Sequence, residues 1–129
     1  MTDSPTTNLP TRRLGDSALE VSTVGLGCNN FGGRLDLDRT AAVLEAALDA
    51  GITLFDTADI YGGAGTSERL MGEVLEGRRD EFAIATKFGW KMDGADGVPD
   101  GPCGSREYIR WAVEGSLKRL RVERIDLYQ

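Results

Sequence analysis

The stretch GITLFDTADIYGG, Gly51 to Gly63, decides how the rest of the chain is read. Its apolar run, Ile52 to Phe55, has the length and composition of a buried strand, and it ends on a charge, Asp56. Tyr61 follows five residues later in the loop, ahead of paired glycines. Upstream, LDLDRTAAVLEAALDAG sets Leu37, Ala41, Leu44 and Leu48 at helical spacing, with Asp36 or Asp38 as cap and Gly51 as stop. Downstream, a helix is expected from near Ser67, with Leu70, Met71, Val74 and Leu75 on one face and Gly77 as its stop. EFAIATKF is the next strand and ends in Lys87. A long Gly/Pro/Asp loop, Gly89 to Gly104, leads to a third helix that starts at Ser105 and turns Ile109, Ala112, Val113, Ser116 and Leu120 inward. RIDLYQ, at the end, is a further strand.

Ahead of these elements, RRLGDSALEVS reads as a hairpin around Gly15 and Asp16, and TVGLG as a short strand opening into the loop CNNFGGR. Strands alternating with helices of this length predict βαβ units and a parallel sheet. A chain of 129 residues is long enough for one domain with a core. The expected layout is a disordered tail over residues 1–11 and a single α/β domain over 12–129.

Composition narrows the function classes. Fifteen Lys and Arg against 21 Asp and Glu leave a net charge of −6, which does not suggest a nucleic-acid or anionic-membrane surface. The N-terminus MTDSPTTNLPTRR carries Asp3 and two prolines and no apolar core, so it is not a secretory signal. No apolar run approaches the ~18–20 residues of a membrane span. A cytosolic protein is expected. Cys28 and Cys103 stand far apart and the chain has no histidine, which argues against a disulfide framework, a metal site and any Ser-His or Cys-His nucleophile pair.

Parallel sheets present ligands at the C-terminal ends of their strands. Asp56 closes one strand, Tyr61 follows in the same loop, Lys87 closes the next strand, and Tyr128 and Gln129 close the last. An acid, a phenol and an ammonium therefore converge on one rim. A phenol, with an ordinary pKa near ~10, is a poor proton donor at neutral pH, and a nearby ammonium favours its phenolate. A carboxylate that holds the ammonium completes a general acid able to protonate a carbonyl oxygen. The carbon must then receive a hydride, which no side chain supplies, so a nicotinamide cofactor is implied. The pattern alone also fits a structural Asp56–Lys87 ion pair between adjacent strand ends, with Tyr61 as a loop aromatic.

GLGCNNFGG is neither G-x-G-x-x-G, because position 30 is Asn, nor a Walker A loop, because Gly33 stands where the lysine belongs. It remains a βα loop at the rim, with Asn29 and Asn30 as hydrogen-bonding groups. The loop from Gly89 to Gly104 exceeds ordinary connector length, which favours a lid or substrate loop. Trp90 within it fits either a pocket wall or an exposed loop aromatic. Tyr108 and Trp111, three apart on a helix, fit packing.

The segments LGDSALEVSTVGLGCNNFGG, GITLFDTADIYGGAGTSE, AIATKFG and SLKRLRVERIDLYQ resemble, in this order, the N-terminal half of the aldo-keto reductases. The resemblance runs from about Arg13 to the last residue. It implies the N-terminal half of a (β/α)8 barrel, preceded by a hairpin that closes the barrel bottom, and NADP(H)-dependent reduction of a small aldehyde or ketone. Asp56 would be the lysine's partner, Tyr61 the proton donor and Lys87 the group that tunes it. Gly27, Cys28, Asn29 and Asp56 would lie around the nicotinamide, and Tyr61, Phe88 and Trp90 would line the substrate pocket. The preference for NADP over NAD rests on the resemblance, and neither the substrate nor the oligomeric state can be read from this half.

The family's pattern continues past Asp126-Leu127-Tyr128-Gln129 to a histidine that orients the carbonyl, two positions further on, and this sequence lacks it. Strands five to eight, which carry most of the cofactor surface, are also absent. The expectation is therefore an N-terminal fragment that neither binds NADPH tightly nor reduces aldehydes by itself. Three alternatives accompany it: a partner chain that completes the barrel, a homodimer of half-barrels, or a non-catalytic regulatory or nucleotide-sensing subunit of the same fold.

Overall fold

Why the hairpin docks where it does follows from two hydroxyl groups. In the computed structural model, which describes residues 9–129, β1 (Thr11–Arg13) pairs antiparallel with β2 (Glu20–Ser22). The Ser22 N–H donates to Thr53 Oγ1, and the Thr53 N–H donates to Ser22 Oγ, both at 2.9 Å. This reciprocal pair clamps the expected hairpin onto the entry of the second parallel strand. Of the expected tail, residues 1–8 lie outside the described residues, and Thr11 already belongs to β1.

The remaining strands are β3 (Gly25–Gly27), β4 (Leu54–Asp56), β5 (Ala83–Thr86) and β6 (Leu127–Tyr128), joined in that order as one parallel sheet. Helix α1 (Leu37–Asp49) connects β3 to β4, α2 (Thr66–Leu75) connects β4 to β5, and α3 (Arg106–Leu120) connects β5 to β6. Each connection is a βαβ unit, the α/β arrangement expected for half of an eight-stranded barrel.

Local chemistry sets the helix ends. Of the two candidate caps for α1 it is Asp36 whose Oδ1 accepts from the Arg39 N–H, at 3.0 Å, and Gly51 with φ of 86° turns the chain out. Ser105 caps α3 by accepting the Tyr108 N–H at 3.1 Å. The inward face of α1 is Thr40, Leu44 and Ala47, while Leu37, Ala41 and Leu48 are half-buried. The strand expected over EFAIATKF begins two residues late, because Arg79–Glu81 form a single 3-10 turn. Arg79 holds that turn by donating to the carbonyls of Phe82 (2.8 Å) and Arg124 (2.9 Å) and to Asp126 Oδ2 (2.6 Å).

Phe55 from β4 and Ile84 from β5 point to the same side and join Leu44, Met71, Leu75 and Leu120 from the three helices in one core, with the Phe82 ring 5.4 Å from that of Phe55. Gly72 lets α2 and α3 approach closely: a Cβ there would lie 2.8 Å from the Leu120 carbonyl carbon. Register sets the opposite side. Gly27 pairs with Asp56, Asp56 with Ala85, and Ala85 with Leu127, so these four share a row on the face away from Phe55.

Candidate active site

Strand alternation places Lys87, two residues beyond Ala85, on the same side as Asp56, and the two meet. Lys87 Nζ donates to Asp56 Oδ1 and to the Thr57 carbonyl, both at 2.8 Å. It also lies over the Tyr61 ring, 5.1 Å from the centroid. An ammonium has three donors, so among the described residues one N–H is left without an oxygen acceptor. Gln129 Nε2 donates to the same Asp56 oxygen at 3.3 Å. Acid, ammonium and phenol thus converge as the sequence predicts, with the ammonium against the face of the ring. The side chains of Lys87 and Asp56 are 30% and 45% exposed, and a pair so open to water contributes at most about 1 kcal/mol to stability. What it fixes is the direction of the ammonium.

The other expected site residues are distributed around this centre. Gly27 and Asn29 are exposed beside Asp56, and a Cβ on Gly27 would meet only Asn29 Oδ1, at 3.8 Å, so the surface above the row is open to a flat ring. These open backbone edges fit a nicotinamide. Cys28 is wholly buried between them: its N–H donates to the Asp56 carbonyl at 2.9 Å and its carbonyl accepts from the Ser67 hydroxyl at 2.8 Å. Burial, reinforced by the Asp56 charge, pushes the Cys28 thiol up to about 12. Phe88 packs its ring 5.1 Å from that of Tyr128. Trp90 is 73% exposed, while its carbonyl accepts the Tyr108 hydroxyl at 2.8 Å. Tyr108 packs on Trp111 at 5.2 Å, as their helical spacing predicts. Among the described residues no group of three or more His, Cys, Asp or Glu could hold a metal ion.

Sequence reasoning missed the polar groups beneath the rim. Thr57 and Ser67 are fully buried, their hydroxyls 2.8 Å apart; because Ser67 donates to Cys28, Thr57 is the donor between them. The Ser67 N–H donates to the Tyr61 carbonyl at 3.0 Å. Asp59 and Glu68 are 1% and 0% exposed, and Asp59 Oδ2, Glu68 Oε2 and the Tyr128 hydroxyl are buried without a partner among the described residues. Burial, reinforced by the Glu68 charge and opposed by Arg119, pushes Asp59 up to about 6. Burial also raises Glu68, against the pull of Arg119, whose Nη2 donates to Glu68 Oε1 at 3.2 Å. A signal for this group was present: Glu68 lies three residues before Met71 on the buried face of α2.

Residues 23–129 match the model of the aldo/keto reductase family. "Uncharacterized oxidoreductase YqkF" of Bacillus subtilis (strain 168) is 40% identical over 119 residues, covering 92% of this chain and 37% of that protein. "Probable aldo-keto reductase 1" of Glycine max is 43% identical over 122 residues, covering 90% and 34%. The solved structure of aldo-keto reductase AKR11C1 from Bacillus halodurans, in its holo form, superposes with a TM-score of 0.82 at 37% identity, covering 95% of this chain and 40% of that one. The chain spans roughly a third of the length of these curated relatives. With a family match over most of its residues and the Asp56–Lys87–Tyr61 cluster at the strand ends, the chain belongs to the aldo/keto reductase family.

Proposed function

We propose that this chain supplies the proton-donating half of a carbonyl-reducing site, in which Tyr61 protonates the oxygen of a small aldehyde or ketone. The observation that carries the reading is Lys87 Nζ, held at 2.8 Å by Asp56 and by the Thr57 carbonyl while it lies over the Tyr61 ring. A fixed positive charge beside a phenol stabilises the phenolate left when the proton is given up. A nicotinamide bound over the row of Gly27, Asn29 and Asp56 would supply the hydride. Cys28 seats this edge from below, and Phe88 and Trp90 contribute to the substrate side. NADPH as the form used is carried over from the family resemblance, and a cytoplasmic setting from the composition of the sequence.

The 129-residue stretch is proposed to be inactive alone. No imidazole is available to orient the carbonyl, and among the described residues β3 and β6 each pair on one side only. Titrating the purified chain with NADPH, followed by tryptophan fluorescence, is expected to give no saturable micromolar signal; such a signal overturns this part. The proton donor is tested in a barrel completed with the C-terminal strands of the Bacillus subtilis relative. There Tyr61→Phe is expected to cut aldehyde reduction by ~10²–10⁴-fold with NADPH binding retained. Undiminished turnover removes Tyr61 from the role.

A further inference from the structure

We propose that Arg119, threaded from α3 between two glycines onto Glu68, is a positioning residue that holds the Tyr61-bearing loop against Lys87. The inference rests on the reading of Tyr61 and Lys87 as the reacting pair. The loop between β4 and α2 contains four successive residues with positive φ: Gly62 at 72°, Gly63 at 79°, Ala64 at 38° and Gly65 at 88°. Three of them are glycines with no side chain to anchor, and Ala64 sits in a region that alanine rarely adopts. A backbone of this kind keeps one shape only when its surroundings hold it.

Arg119 is placed to do that. Its Nη2 and Nε donate to Glu68 Oε1 at 3.2 and 3.4 Å, and Nη2 also reaches Ser116 Oγ at 3.4 Å. Its path is cleared from both sides. A Cβ on Gly115 would lie 2.9 Å from Arg119 Nη1, and a Cβ on Gly65 would collide with Arg119 Cδ and Nε and lie 3.1 Å from Cζ. Glycines on two different elements thus make room for one side chain, which covers the end of the loop at Gly65. Glu68, where the guanidinium arrives, follows Ser67, whose N–H donates to the Tyr61 carbonyl at 3.0 Å. The connection therefore runs Arg119, Glu68, Ser67, Tyr61. Among the described residues Glu68 Oε2 and Asp59 Oδ2 are buried without hydrogen-bond partners, and the guanidinium is a nearby positive charge that, with Arg69, offsets the cost of this acidic pocket.

The test reads the Tyr61–Lys87 contact directly by NMR. Isotope-labelled lysine gives signals from Lys87, Lys91 and Lys118, and Lys87→Arg assigns the first. In the unaltered chain the Lys87 ε-methylene protons are expected to be displaced by the Tyr61 ring current, and Tyr61→Leu is expected to remove the displacement. Gly115→Ala crowds the guanidinium while favouring helix, and Arg119→Met removes the charge while keeping a long stem. Both are expected to lose most of the displacement while retaining helical circular dichroism. An unchanged displacement in folded Gly115→Ala overturns the proposal and leaves the Tyr61–Lys87 reading intact, whatever Arg119→Met does to folding. No displacement in the unaltered chain removes the contact itself, and both readings with it.

Discussion

Asp59 lies two residues before Tyr61 with its carboxyl sealed in the core, and Asp59→Asn is expected to stabilise the protein at neutral pH. The group is 1% exposed and its Oδ2 has no partner among the described residues. Burial first, then the Glu68 charge, raises it from 3.8 to about 6, while Arg119 from α3 and the N–H groups of Ile60 and Asp59 itself pull the other way. The folded value lies above the unfolded one. The contribution to stability is therefore fully present below the unfolded value and is lost as pH rises through the folded one. At pH 7.5 the protein bears the full cost of a buried carboxylate. A rise of about two pH units corresponds to about 3 kcal/mol, and because the replacing amide also loses its hydration, about 1–2 kcal/mol of net gain is expected. An amide keeps the shape, carries no charge and can donate toward Glu68.

Urea unfolding of both proteins between about pH 4 and 7.5 measures the difference. The amide variant is expected to be more stable by about 1–2 kcal/mol at the upper end, with the advantage fading toward the lower end. Asp126 titrates in the opposite sense: its burial is outweighed by the Ile84 N–H and Arg79, which hold its carboxyl low, so its contribution is lost as pH falls through the folded value. Both proteins share that loss, and it cancels in the difference. An advantage that is absent at neutral pH, or that is flat across the range, refutes the account of Asp59 as a buried carboxylate.

Two further outcomes follow from individual contacts. Gly62 and Gly63 have nearly equal φ, 72° and 79°, but a Cβ on Gly62 would collide with the Phe31 carbonyl oxygen while one on Gly63 meets nothing within 4 Å. Gly63→Ala is expected to cost about 1 kcal/mol, the backbone term alone, and Gly62→Ala at least about 2–3. Equal losses in thermal unfolding would remove the clash from the explanation. Cys28 is sealed and held protonated, whereas Cys103 is half-exposed, so a thiol reagent under native conditions is expected to modify Cys103 and spare Cys28 until the protein unfolds. Mass mapping of the alkylated residues checks it, and native labelling of Cys28 contradicts the packing at the end of β3.

The legible part of the site was the part carried by strand ends. Asp56 and Lys87 each close an apolar run, and once the register pairs Asp56 with Ala85, alternation along the pleat puts both on one side of the sheet. The order of strands and helices was legible from local signals too, since α1 and α3 begin at a capping Asp or Ser and α1 and α2 run up to Gly51 and Gly77. What escaped was short and irregular: the 3-10 turn held by Arg79 depends on Arg124 and Asp126, more than forty positions away in the chain.

By itself, the sequence determined the α/β succession, the family and the rim that carries Asp56, Tyr61 and Lys87, because periodicity and strand-end position are local properties. Only the tertiary structure decided how these residues are held. It laid the ammonium across the face of the Tyr61 ring, sealed Cys28 beneath the rim, and brought Arg119 onto the buried Glu68 through a path that two glycines leave open. The Arg119–Glu68 contact joins residues about fifty positions apart, and the cost of burying a carboxylate exists only once the fold has excluded water from it.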